Sequence, residues 1–433
     1  MDERKEMNFR ELFYGIDNFI PTKFGKKVTG INFDNAATTP PLKSVVSCVD
    51  SFLPWYGSIG RGKGYKSTVS TKVYNEGRAE ILKFFNLKRR KDYTVVFVKN
   101  ATEGLNLLAS VLVDSKDDVV ITSRMEHHSN DLPWRAICRV EYIEVDRWGR
   151  LKLKELEEKL YKNRGKVKFV SITGASNVTG YVNDIHRISY LAHKYGAKII
   201  VDGAQLVPHN KVNMCGYQGN DCIDFLVFSA HKMYAPYGVG AVVGLREYFE
   251  NNGPFMLGGG TVDAVMDDDV YWAEAPEKDE GGTPNVLGVL ALITAIKEIN
   301  KIGYNSIEKH ERMLSDYLIE GLESIPKVIM YGDNRDRTRL GIVVLNVEGI
   351  YHEDLAQMLS DYRGISVRNG CFCAQPYAKR LLNISERDAL KYVLNPKEPK
   401  PGMVRVSFGL YNTIYEVNEF LNVMEYIIMK YKK

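Results

Sequence analysis

The sequence predicts an α/β protein with a large domain on a mostly parallel seven-stranded sheet and a smaller α+β C-terminal domain. Three observations carry this. Seven short, β-branched apolar runs recur between residues 94 and 243. Helical patterns fall between several of them. After Gly282-Thr283-Pro284 the rhythm changes to a long helix and a second set of strands. Strands buried on both faces and separated by helices imply a doubly wound, largely parallel sheet.

Taken in order, residues 1–30 are expected to pack with the small domain. The large domain is placed at 31–300. Its candidate strands are Thr94–Val98, Val119–Thr122, Glu141–Val145, Val167–Ile172, Lys198–Val201, Asp224–Phe228 and Val239–Val243. Helices are expected over Leu153–Tyr161 and Ile185–Tyr195. A helix from near Val286 to Ile302 bridges to the small domain, 301–433. That domain has strands Gly341–Val347 and Met403–Phe408 and an amphipathic helix from about Ile414 to Tyr431.

A chain of 433 residues can bury a large core. Net charge is +4 with 26% charged residues, which points to neither a nucleic-acid nor a membrane surface. The basic run Lys88-Arg89-Arg90-Lys91 reads as a solvated turn. Met1 to Glu6 lack the apolar stretch of a signal peptide, and no run approaches membrane-spanning length. Six irregularly spaced cysteines do not make a disulfide framework, so a cytoplasmic location is expected.

The chemistry collects after strand ends, where ligands of such sheets bind. Lys198–Val201 runs into Asp202-Gly203-Ala204-Gln205, and Asp224–Phe228 runs into Ser229-Ala230-His231-Lys232. A lysine amine that can form a Schiff base, with a carboxylate to meet a pyridinium nitrogen, is equipment for pyridoxal 5'-phosphate (PLP). Thr94–Val98 leads to Ala101-Thr102-Glu103-Gly104, with Thr102 placed as an N-cap; such a helix start is an ordinary cap or an anion site. Ser229 and His231 beside Lys232 favour a phosphate pocket.

Met125-Glu126-His127-His128 follows another strand. His127 can stack on a flat ring or belong to a surface pair; no Cys or carboxylate at ligand spacing completes a metal site, and none is expected. Asn177, in Ser176-Asn177-Val178-Thr179-Gly180, is positioned to bond a ring hydroxyl. Ser366 to Pro376 contains Cys371-Phe372-Cys373. These cysteines fit a buried apolar role, a metal pair, a strained disulfide or, in an exposed loop beside Arg368, a nucleophile of lowered pKa. Arg405 reads as a surface strand arginine or as a bidentate grip on a substrate carboxylate.

Together these segments, with Phe33-Asp34-Asn35-Ala36-Ala37 and Gly281-Gly282-Thr283-Pro284-Asn285, resemble the class V aminotransferase-fold enzymes, within them the group II cysteine desulfurase and selenocysteine lyase family. The resemblance runs from about Asn32 to the C-terminal helix and implies the PLP-dependent transferase fold type I. It assigns Lys232, Cys373 and His127 to catalysis. It gives the cofactor Thr102, His127, Asn177, Asp202, Gln205, Ser229, His231, Lys232 and Thr283, and the substrate Asn35, Arg61, Arg368 and Arg405. Thr283 is implied to reach the phosphate of a neighbouring subunit, so a homodimer is expected. The implied reaction converts L-cysteine to L-alanine, with sulfur left as a persulfide on Cys373 for an acceptor, such as a sulfur-acceptor protein. Selenocysteine lyase, another C–S lyase, an epimerase and an aminotransferase are the alternatives.

The chain departs from the family at three places. Gly60 stands where a His often precedes Arg-Gly, and Cys371-Phe372 replace a His-rich stretch. The 31 residues between Cys373 and Arg405 exceed the usual spacing, and are expected to form a lid or docking surface.

Overall fold

Seven strands form one sheet, in a computed structural model that describes residues 9–60, 62–87, 90–395 and 398–431. Arg61, Lys88, Arg89, Pro396 and Lys397 lie outside the described residues. The strands are β1 (Tyr93–Val98), β2 (Val119–Ser123), β3 (Arg139–Ile143), β4 (Val167–Thr173), β5 (Lys198–Asp202), β6 (Phe225–Ser229) and β7 (Gly240–Leu245). Their spatial order is β1-β7-β6-β5-β4-β2-β3. All neighbours from β6 to β3 are parallel, while β7 runs antiparallel to both β6 and β1.

Six of the seven expected strands start within one residue of these bounds, because their side chains are almost wholly buried and the apolar runs are continuous. The exception is β3, expected at Glu141–Val145. It starts at Arg139, opposite Val119, and Val145 instead bridges Leu151 in the following turn. As the edge strand it is mostly half-buried, so its apolar signal is weak.

The helix α1 (Ala101–Leu112) starts after β1, and its first turn comes very close to the sheet. A Cβ on Gly104 would lie 2.7 Å from a Val227 methyl and 2.8 Å from a Val242 methyl, so only glycine permits this approach. The long apolar helix α2 (Val286–Ile302) is capped by Asn285, which accepts from Gly288 N, and is followed by α3 (Tyr304–Ser324).

A second, antiparallel sheet has the order Val328–Tyr331, Ile342–Val347, Met403–Ser407, Arg368–Gly370. Its own core includes Phe33, Val343, Val404, Val406 and Phe420, and it is covered by the final helix, Ile414–Lys430, whose start carries a Thr413–Glu416 capping box. Residues 9–30 lie against these C-terminal elements: Arg10 reaches Glu416 and the Tyr411 carbonyl, and Arg363 Nη1 donates to Thr29 O. A third cluster, with Met125, Val178, Phe372, Tyr377 and Met403, joins residues from both sheets' surroundings. The long stretch after Cys373 forms two short helices, Gln375–Leu381 and Glu386–Leu394; the second buries none of its side chains. Among the described residues no helix is long and apolar enough to cross a membrane.

Candidate active site

A cavity of about 440 Å³ opens at the carboxyl ends of the parallel strands. Thr102, His127, Asn177, Asp202, Gln205, Ser229, His231, Lys232, Arg368, Cys373 and Arg405 all line it. Residues spread over three hundred positions therefore meet: those of the large sheet follow or end its strands, Arg368 and Arg405 lie on strands of the second sheet, and Cys373 follows one of them.

Lys232 sits in a short 3₁₀ turn directly after β6. Burial, and to a lesser degree Arg405, push its amine down to about 8, while Asp202 and Cys373 pull the other way. Asp202, the last residue of β5, accepts from Ala204 N at 3.0 Å, and burial raises its pKa. His127 is lowered to about 4 by burial and then by Lys232, His128 and Arg405, so its imidazole is neutral. Ser129 N donates to its Nδ1 at 3.1 Å, which makes Nδ1 an acceptor and assigns the ring proton to Nε2. His231 is likewise lowered to about 4, by burial and by Lys232, and its Nδ1 lies 3.1 Å from Thr38 Oγ1.

The first turn of α1 brings Asn100, Ala101 and Thr102 to the cavity. The N-cap is Asn100, not Thr102: the Asn100 side chain accepts from Glu103 N at 3.1 Å, and Thr102 stands one position inside the helix. Asn100 has the extended backbone of a capping position just outside the helix, from which its side chain folds back on the third amide. Thr102 Oγ1 pairs with Ser129 Oγ at 2.7 Å, linking the start of α1 to the loop that carries His127.

The Cys373 loop is held in an uncommon shape. Phe372 and Cys373 both have φ of +54°, left-handed backbone that costs non-glycine residues free energy unless neighbours enforce it. Asn177 Nδ2 donates to Phe372 O at 2.7 Å, His128 N donates to Cys373 O at 2.7 Å, and the Phe372 ring is buried 5.0 Å from the Arg405 guanidinium. Cys373 is exposed, and Cys371 is half-buried with its thiol donating to Pro401 O at 3.2 Å. Burial, with Cys373 adding to it, raises the Cys371 pKa.

Arg405 is 2% exposed, so it is not a surface arginine. Its Nη1 donates to Asn177 O at 2.9 Å and its Nη2 to Asp34 Oδ1 at 3.0 Å, while Nε is buried without a partner among the described residues. Arg368 is exposed and also meets Asp34, at 3.1 Å. Gln205 donates to Ala36 O at 2.6 Å.

Asn35 requires a correction. Its amide donates to the Asn32 and Ser407 carbonyls and to Asn412 Oδ1, and its oxygen accepts from Tyr411 OH. Both its amide nitrogen and its oxygen are engaged inside the protein; Ala36 and Ala37 line the cavity in its place. Thr283 is exposed and does not line this cavity. Residue-level reading missed Ser129, which sets the His127 tautomer, and Asp34, which joins the two arginines. It also missed Glu126, a buried carboxyl pushed up to about 8 by burial and held by Ser123 and Asn130 behind His127. All three lie inside segments the sequence had marked, but only their partners in space reveal the contacts.

The profile of the Aminotransferase class-V family matches residues 31–420. A probable cysteine desulfurase of Pyrococcus abyssi is 34% identical over 92% of this chain and 94% of its own length. A probable cysteine desulfurase of Halalkalibacterium halodurans is 34% identical over 85% of this chain and 90% of its own. Among solved structures, the apo cysteine desulfurase from Thermococcus onnurineus superposes with a TM-score of 0.81 at 33% identity, covering 93% of this chain and 95% of that one. A cysteine desulfurase from Escherichia coli gives 0.80 at 26% identity, over 97% and 98%.

Proposed function

The chain belongs to the aminotransferase class-V family, and from that premise we propose that it is a PLP-dependent cysteine desulfurase. The observation that carries this reading is the position of Cys373. It is exposed, held on a pinned left-handed turn, and lines the same cavity as Lys232 and Arg405. In the proposed reaction the Cys373 thiolate attacks the sulfur of substrate L-cysteine. The substrate C–S bond breaks and an S–S bond forms. The sulfur is oxidised to the sulfane level, the carbon is reduced, and L-alanine leaves while Cys373 holds a persulfide. A soft thiolate suits such sulfur-to-sulfur transfer near neutral pH.

The residues present fit PLP by the chemistry of the donor set: a buried lysine of lowered pKa, a buried carboxylate, neutral imidazoles and a helix N-terminus in one cavity. Lys232 would bind the aldehyde, Asp202 would meet the pyridine nitrogen, and His127 would stack on the ring. Asn177 and Gln205 would lie on the ring-hydroxyl side, and Thr102, Ser229 and His231 would take the phosphate. When bound, PLP supplies an electron-accepting ring that stabilises negative charge at the substrate α-carbon. Lys232 Nζ, lowered to about 8, can carry or release the α-proton near neutral pH. Arg405 would take the substrate carboxylate. Arg368 stands at the cavity edge near Cys373, and Arg61 is retained only as a sequence assignment.

We further read the molecule as a homodimer in which Thr283 reaches the neighbouring site. The support is an exposed apolar strip on the hairpin Val262–Val265 and Val270–Trp272, including Val265, Met266 and Tyr271. A large unit over 31–300 and a small one over 301–433 belong to the same reading, supported by the two separate cores. Free thiols at Cys371 and Cys373 suit a reducing compartment such as the cytoplasm. The test is incubation of PLP-loaded protein with L-cysteine, L-selenocysteine and other amino acids, with alanine and keto acids assayed. Alanine from L-cysteine, lost in Cys373→Ser, supports the reading. A keto acid, or sulfide release undiminished in Cys373→Ser under limiting reductant, sinks it.

A further inference from the structure

Residues 32–35 run as an extended segment between two strands. Phe33 N donates to Ser366 O at 2.8 Å on one side, and Ser407 N donates to Phe33 O at 2.7 Å on the other. Arg368 opens the strand that follows Ser366, Arg405 lies on the strand that ends at Ser407, and the antiparallel register of those two strands puts the arginines directly opposite each other. Like charges at opposed positions repel, and a cation as buried as Arg405 is costly unless paired. Asp34 provides the pairing. Its Oδ1 accepts from Arg405 Nη2 at 3.0 Å, and its Oδ2 lies 3.1 Å from Arg368 Nη2.

We propose that Asp34 is the positioning residue of the carboxylate grip: it holds the two guanidiniums side by side and aims the Arg405 fork at one substrate carboxylate. The inference rests on the reading of Arg405 as the group that takes that carboxylate. Arg405 Nη1 and Nη2 each give one N–H to Asn177 O and Asp34, which fixes the plane of the fork and leaves a second N–H on each nitrogen for a substrate carboxylate. Two guanidiniums against one carboxylate leave one positive charge, which fits a substrate with a single carboxylate. The Phe372 ring closes the other side of Arg405 and ties the grip to the Cys373 loop. Without Asp34 the arginines push apart and the fork loses its aim.

The test uses PLP-loaded protein and L-alanine binding by calorimetry, with steady-state kinetics on L-cysteine beside it. A hydrogen bond to a charged group sets the expected scale. Asp34→Asn should weaken alanine binding and raise KM about tenfold, while kcat falls by less than about threefold. Asp34→Glu should recover most of the loss. Binding of cysteamine, which has no carboxylate, should not respond to Asp34. Arg405→Ala should lose alanine binding. If Arg405→Ala binds alanine normally, the reading of Arg405 fails and this proposal with it. If Arg405→Ala loses binding but Asp34→Asn binds equally well or more tightly, only the proposal for Asp34 is overturned. Should Asp34→Asn melt early, Asp34→Glu decides by the same KM-against-kcat comparison.

Discussion

Lys232 is the residue on which burial acts most clearly. A lysine whose folded-state pKa falls to about 8 weighs against folding while it is protonated in both states, that is below pH 8. The cost fades as pH rises from about 8 towards the ordinary lysine value. In cofactor-free protein, Lys232→Met is therefore expected to melt above the wild type at pH 7, with the difference closing by about pH 10.5. Thermal melts of both proteins across that range check it; a pH-independent difference would contradict a buried, titrating amine. With PLP present the same position is essential. Lys232→Ala should trap no cofactor under borohydride and lose at least about a thousandfold in turnover. Lys232, Asp202 and His127 were legible in the sequence because each follows an apolar run that can only be a strand. Asp34 was not. Its role depends on two arginines at positions 368 and 405, and pairing across that distance leaves no local pattern. Asn35 shows the converse: a polar residue in a marked segment whose amide is engaged by Asn32, Ser407 and Asn412 away from the cavity.

Among the elements, α1 is the most constrained. Its N-terminus can reach the cavity only because Gly104 lets the helix settle onto Val227 and Val242. Gly104→Ala inserts a methyl into that contact and is expected to cost about 1–3 kcal/mol, measured by denaturant unfolding, with weaker retention of PLP. The gain of a better helix former is too small to offset it. The helix itself was readable from the sequence, but its cap was not: Asn100 and Thr102 are both good capping residues, and only the backbone turn at Asn100 decides between them. Similarly, β3 was displaced by two residues because an edge strand alternates weakly. The segment after Cys373 was readable as extra chain but not as two helices. Glu386–Leu394 buries no side chain: its apolar residues Leu390, Val393 and Leu394 stand exposed, and no core contact marks it as an element.

At the scale of the whole molecule, the active cavity takes residues from both sheets, and Phe372 belongs to the small cluster that joins them. Fixing Cys373 against Lys232 therefore depends on how the two units sit together. In the proposed dimer the exposed hairpin strip would face a second copy. Tyr271→Asp with Val265→Asp is expected to shift a species of twice 49.2 kDa towards the monomer in light scattering and to lower activity in parallel. A monomeric wild type with full activity would contradict the shared-site reading. The central claim is tested most directly by mass spectrometry of the Cys373 peptide after one turnover of the PLP-loaded protein with L-cysteine and no reductant. One added sulfur on Cys373 with one equivalent of L-alanine is the expected result. An unmodified Cys373 with pyruvate and ammonia as products would contradict it.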